Sequence, residues 1–133
     1  MANIVLRKPD ILYPELSYQI MGTLFDVYNQ IGPGFSEQTY QKAISIALKN
    51  ANIKFREQVY SPVSFQGQKI AHSYFDFLID DKIVLEIKKG DRFAKAHIEQ
   101  LYEYLKNSKL KLGILAYFAP KKVHYKRIIN LDS

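Results

Sequence analysis

Apolar positions recur in this chain at two different spacings, and the change from one to the other divides it. From Pro14 to Ile31 they fall at Leu16, Ile20, Leu24, Val27 and Ile31, the interval of one helical face. Gly32-Pro33-Gly34 ends that run, since both residue types break a helix. A second helix is expected from Ser36, a good N-cap, with Tyr40, Ile44, Ala47 and Leu48 as its apolar face and its end near Asn50 to Asn52. From Ile53 to Lys88 the interval drops to two. Phe55, Val59, Val63 and Phe65 read as strand, Gln66-Gly67 as a turn, and Tyr74–Ile79 and Ile83–Lys88 as the clearest strands, joined through Asp80-Asp81-Lys82. Gly90-Asp91 closes that unit. A third helix over about Lys95–Leu105 carries Ile98, Leu101, Tyr102 and Leu105. Strands Leu112–Tyr117 and Val123–Ile129 follow, separated by the turn at Pro120-Lys121-Lys122.

The order is α-α-β-β-β-α-β-β, which predicts an α/β (α+β) protein with a central mixed β-sheet flanked by helices. The strand-helix-strand part is expected to cross over right-handedly. A chain of 133 residues fits one domain, 1–133, with residues 1–13 as a loosely ordered lead-in. Repeats, low-complexity tracts and linkers are absent from the sequence.

The hairpin carries the candidate chemistry. Alternation places Val84, Glu86 and Lys88 on one face of their strand, and Tyr74, Asp76 and Leu78 on one face of theirs. If Ile79 pairs with Ile83 across the three-residue loop, Asp76 stands opposite Glu86, with Cβ atoms about 5 Å apart. Two carboxylates so placed in largely apolar strands need a proton, a cationic partner or a metal. A hard divalent cation such as Mg²⁺ satisfies both. Pairing with Lys88, Lys89 or Arg92 would satisfy them too. Glu37 lies on the same helical stripe as Tyr40 and Ile44 and so points toward the protein body, although an acid in a first turn is also favoured by the helix dipole. Gln100 and Tyr104 share a face of the third helix, a spacing that also fits plain surface.

Charge and composition narrow the classes. Nineteen Lys and Arg against thirteen Asp and Glu give a net charge of +6, which favours a polyanionic partner. The positives gather at Lys106, Lys109 and Lys111 and again at Lys121, Lys122, Lys126 and Arg127; a solvated surface is the plainer account. The lack of cysteine excludes disulfides, thiolate zinc sites and cysteine nucleophiles. No apolar run reaches the ~18 residues of a membrane span, and no signal peptide is read, so a soluble cytoplasmic protein is expected. His72, His97 and His124 show no metal-binding spacing, and no Walker loop, G-x-S-x-G or G-x-G-x-x-G occurs.

Asp76 followed by Glu86-Ile87-Lys88 resembles the D-x(n)-(D/E)-x-K signature of the PD-(D/E)xK nuclease superfamily. Gly34-Phe35-Ser36-Glu37-Gln38-Thr39-Tyr40 matches G-x-x-E-x-x-Y. With Gly32-Pro33-Gly34 ahead and Lys126-Arg127-Ile128 behind, residues from about 14 to 130 resemble the small bacterial GxxExxY proteins of that superfamily. The resemblance implies a restriction-endonuclease-like fold and a metal-dependent nuclease using Mg²⁺ or Mn²⁺. It implies Asp76, Glu86 and the Ile87 carbonyl as metal ligands, Glu37 completing or relaying that site, and Lys88 acting on water and phosphate. Gln100 and Tyr104 match the Q-x-x-x-Y of RecB-like nucleases, placing Gln100 in the catalytic set. Tyr104, Lys89, Arg92, Lys126 and Arg127 are the expected nucleic-acid contacts, with DNA favoured over RNA. A catalytically silent module that binds nucleic acid or a protein is the alternative. So small a domain leaves specificity to loops, a partner or a homodimer. Phe75 stands where the motif expects Pro, Tyr74 where relatives often have Arg, and Tyr28 where they often have His.

Overall fold

The computed structural model describes residues 12–131; of the expected lead-in, residues 1–11 lie outside the described part. Helix α1 (Pro14–Ile31) opens with proline in its first turn, where the missing N–H costs nothing, and stops at Gly32, whose φ of 83° suits glycine. Helix α2 (Glu37–Asn50) is capped by Ser36, whose side chain accepts the Thr39 N–H at 3.1 Å. Then come β1 (Phe55–Phe65), β2 (Gln68–Ile79), β3 (Ile83–Lys89), α3 (Lys95–Ser108), β4 (Leu112–Phe118) and β5 (Val123–Ile129). The predicted order holds throughout. The main difference is β2, which begins six residues before the expected Tyr74 and pairs with β1 from Phe55 to Phe65 except at Gln58.

The five strands lie in sequence order. Only β3 and β4 run parallel, with α3 carrying the chain between them. One face buries Phe77, Ile79, Ile83, Leu85, Ile87, Ile114 and Ala116 under α1 and α2; the other buries Leu78, Val84, Leu115 and Ile128 under α3. Each fully buried Leu or Ile contributes roughly 1.5–3 kcal/mol, so α1 is held by Ile20, Leu24 and Val27, while Ile31 at its end stays exposed. Gly113 sets how closely α3 can approach: a Cβ there would lie 2.9 Å from Leu101 Cδ2. The bare glycine therefore lets Leu101 rest directly on β4.

Candidate active site

The hairpin register is the expected one beside the turn, where Ile79 pairs with Ile83, Leu78 with Val84 and Phe77 with Leu85. Backbone pairing between β2 and β3 stops there, and side chains take over. The Asp76 N–H donates to Glu86 Oε1 (3.0 Å), and the Ile87 N–H donates to Asp76 Oδ2 (2.7 Å). Asp76 and Glu86 thus face each other as predicted, but as part of the link between the strands.

The simple alternation expected for β2 does not survive this point. Simple alternation sets Phe75 and Phe77 together on the face opposite Asp76. Instead Phe77 packs in the α1/α2 core, whereas Phe75 lies in the α3 core, its ring 5.0 Å from Tyr104. On the neighbouring strand Gln58, which falls between Glu57 and Val59, the partners of Phe77 and Phe75, is itself unpaired in the register and has a φ of 54°. Both strands swing over together at this point, and Asp76 sits at the reversal. A left-handed glutamine is uncommon and carries no sequence signal.

Helix α2 supplies the support. Gln41 Nε2 donates to Asp76 Oδ1 at 2.7 Å, so both oxygens of that carboxylate are held by the fold. Gln41 was not among the predicted site residues. Its position one turn after Glu37, on the same face, was the available clue. Glu37 itself accepts the Lys89 N–H at 2.9 Å and contributes repulsion that raises the Asp76 pKa. The Gly34–Tyr40 segment has its own internal logic. Gly34 takes a φ of 93°, and the Tyr40 hydroxyl donates back to the Gly32 carbonyl at 2.7 Å, fixing the loop from which Glu37 projects. The Tyr28 hydroxyl donates to the Ala119 carbonyl at 2.7 Å, so it ties α1 to the end of β4 and not to the carboxylates.

Both acids are strained electrostatically. Burial raises the Asp76 pKa, against the opposing pull of the Ile87 N–H, the Glu86 side chain and the Lys88 charge. Glu86 is pushed up to about 8, first by burial and then by the charge of Asp76, with Lys88 opposing. Burial and mutual repulsion thus favour the protonated form of both acids, and each is costly to ionise while the other is charged. Lys88 Nζ stands 3.4 Å from Glu86 Oε2, so the expected triad of Asp76, Glu86 and Lys88 is assembled, and one of the alternative partners weighed for these acids is also in place.

Other expected members are placed nearby or elsewhere. Gln100 reaches β2 through Ser73 Oγ (3.0 Å), three residues short of Asp76, and Tyr104 packs on Phe75. Lys126 lies over the Phe93 ring at 5.4 Å, while Lys89 and Arg92 are exposed. Arg127 differs from its expected role as a nucleic-acid contact. Its guanidinium donates to Ser17 Oγ (2.9 Å) and the Leu12 carbonyl (3.1 Å), because alternation in β5 turns it under the start of α1. His97 joins the rim unpredicted. Its Nδ1 is 2.7 Å from the Tyr117 hydroxyl, and burial and the Lys88 charge lower its pKa. It shares a helical face with Leu101 and Tyr104, which was the readable signal.

Among the described residues no three His, Cys, Asp or Glu side chains gather into a metal-binding group. The donor set is two carboxylates, and that suits a cation such as Mg²⁺, which keeps much of its water and takes few protein ligands. The fit lies in the charge conflict: a divalent ion offsets both carboxylates where a proton offsets one.

Residues 14–128 match the PD-(D/E)XK nuclease superfamily, nearly the whole described chain, and the protein belongs to it. Its mixed sheet with flanking helices is accordingly a restriction-endonuclease-like α+β fold. Among solved structures it is similar to SSO0001, at 19% identity over 86% of this chain and 77% of that one, with a TM-score of 0.46. No curated protein matches it. No helix among the described residues is long and apolar enough to cross a membrane.

Proposed function

We propose that the protein is a metal-dependent nuclease of the cytoplasm that hydrolyses phosphodiester bonds, DNA in preference to RNA. The observation that carries this reading is the pair of buried Asp76 and largely buried Glu86, short of one positive charge and flanked by Lys88. Asp76 and Glu86 would hold Mg²⁺ or Mn²⁺, with the Ile87 carbonyl beside them. Such an ion, when bound, supplies activation of water and charge compensation at phosphate.

The chain's own groups have separate tasks. Gln41 and the Ile87 N–H fix the Asp76 carboxylate, so little reorganisation is needed on binding. Lys88 carries a point charge suited to phosphate and to orienting the attacking water. Glu37 immobilises the Lys89 peptide and lies close enough for its charge to act on Asp76, a relaying position. Exposed Lys89, Arg92 and Lys126, with Gln100 and Tyr104, would line the approach of the nucleic acid. Arg127, committed to Ser17 and Leu12, is not part of that set.

The test is a cleavage panel on labelled DNA and RNA with Mg²⁺, Mn²⁺ or EDTA, repeated with Asp76→Asn. Cleavage that needs the metal and is lost in the variant is the expected result. Salt-dependent binding with no cutting under any condition would overturn it in favour of a silent nucleic-acid-binding module.

A further inference from the structure

The β1–β2 hairpin runs well past the core. From Tyr60 out to the Gln66-Gly67 turn and back to Tyr74, Ser61 is the only buried residue, yet the arm carries large apolar side chains. Tyr60 is 44% exposed, Tyr74 48%, Phe65 60% and Ile70 64%. An exposed apolar surface of this kind on a small domain marks a contact site. Three rings form a cluster at its base. Tyr60 and Tyr74 are register partners with centroids 5.8 Å apart, and His72 lies 5.6 Å from the first and 5.5 Å from the second. Lys69 Nζ bonds the Tyr60 hydroxyl at 2.9 Å and stands 5.4 Å from that ring's centroid.

The cluster's position ties it to the carboxylates. Ser73 and Phe75 face α3, through Gln100 and Tyr104. Alternation therefore turns Tyr74, and with it Tyr60 and His72, to the side of α2, whose Gln41 holds Asp76. Tyr74 and Asp76 are two residues apart on one strand, about 7 Å. Between Glu57 and Asp76 the sequence contains no acidic residue, while Lys69 adds a positive charge, so a polyanion meets no repulsion along the arm.

We propose that Tyr60, His72 and Tyr74 form a stacking platform for the unpaired bases of single-stranded nucleic acid, delivering the adjoining phosphate to Asp76 and Glu86. Exposed rings beside a lysine offer what a single strand needs, π-faces for its bases and a cation for its backbone. A duplex keeps its bases stacked inside and presents none to such a surface. The delivery half rests on the nuclease reading above, and the stacking half stands without it.

Binding in EDTA, where no cutting occurs, separates the two. Fluorescence anisotropy would compare labelled oligothymidylate, the same strand in duplex, and an abasic strand of equal length. Wild type should prefer oligothymidylate to both others. Tyr60→Ala and Tyr74→Ala should each weaken that binding by about 5- to 100-fold and leave the abasic strand unaffected. Thermal melting checks that these exposed truncations leave the fold intact. Tyr74→Phe should bind as wild type. The chain has no Trp, so Tyr74→Trp installs a single reporter, quenched by oligothymidylate and not by the abasic strand. Equal affinity for oligothymidylate and the abasic strand, or Ala variants that bind oligothymidylate normally, would overturn the platform. So would Ala variants whose only change is a loss of self-association in sedimentation, because the arm would then be a contact between copies. Preference for oligothymidylate in a protein that never cleaves with Mg²⁺ or Mn²⁺ would support the platform and sink the nuclease reading alone.

Discussion

Beside its turn, the β2–β3 hairpin buries Phe77, Leu78, Ile79, Ile83, Val84 and Leu85 and joins its strands by regular pairing. One residue further along each strand, Asp76 and Glu86 join them through carboxylates instead. The turn end lowers the free energy of the fold through apolar burial on both faces. The open end raises it, since two partly desolvated acids repel each other. A destabilising charged pair is tolerated here because the neighbouring pairs hold the strands together regardless of what the acids do. Stability and chemistry are thus separable along one hairpin, and substitutions should divide accordingly.

The largest effect belongs to the turn end. Leu85→Ala should cost about 2–5 kcal/mol in urea unfolding. A loss under ~1 kcal/mol would mean that this end does not anchor the hairpin. At the open end, Lys88→Ala should slow metal-dependent cleavage by ~10²-fold, about 3 kcal/mol of lost charge stabilisation, with an unchanged circular dichroism spectrum. A well-folded variant that cleaves at the wild-type rate removes Lys88 from the mechanism.

The pH response sharpens the same contrast. Asp76 and Glu86 hold protons more tightly folded than unfolded, so the folded state binds more protons between the usual carboxylate range and about 8. Stability in EDTA should be fullest near pH 4.5 in this respect and fall as pH rises toward 8. Saturating Mg²⁺, taking the place of the proton, should flatten that decline. Urea midpoints measured across the window that rise with pH in EDTA would contradict the burial of the pair. The smallest effect is outside the hairpin. Tyr40→Phe removes the hydroxyl bond to Gly32 and should cost about 1 kcal/mol by thermal melting, at an otherwise unchanged core position.

The sequence made some of this readable and hid the rest for identifiable reasons. Periodicity located all eight elements because each helix carries one apolar stripe and the central strands are bounded by Gly, Pro and Asp turns. The three-residue loop set the pairing of Ile79 with Ile83, and hence the meeting of Asp76 and Glu86. The outer part of β2 escaped notice because its residues are exposed and show no burial alternation. The reversal at Asp76 depends on Gln58 adopting a positive φ, which its chemistry does not announce. Gln41 reaches Asp76 from 35 residues away, a relation created by the docking of α2. Arg127 belonged to a basic cluster by sequence, and only the sheet's alternation shows that it serves α1.

The parallel pairing of β3 with β4 also sets an order of assembly. The β2–β3 turn closes a short loop, whereas Ile83 meets Leu112 only after α3 has carried the chain across. Loop closure of that length is slower and entropically dearer. The hairpin can therefore form early, but Lys88 gains its neighbour Tyr117, and through it His97, only when β4 arrives. An intermediate stalled before that step would contain both carboxylates and lack the strand that pairs beside Lys88. Cutting would then report the completion of folding, a late event compared with the appearance of secondary structure.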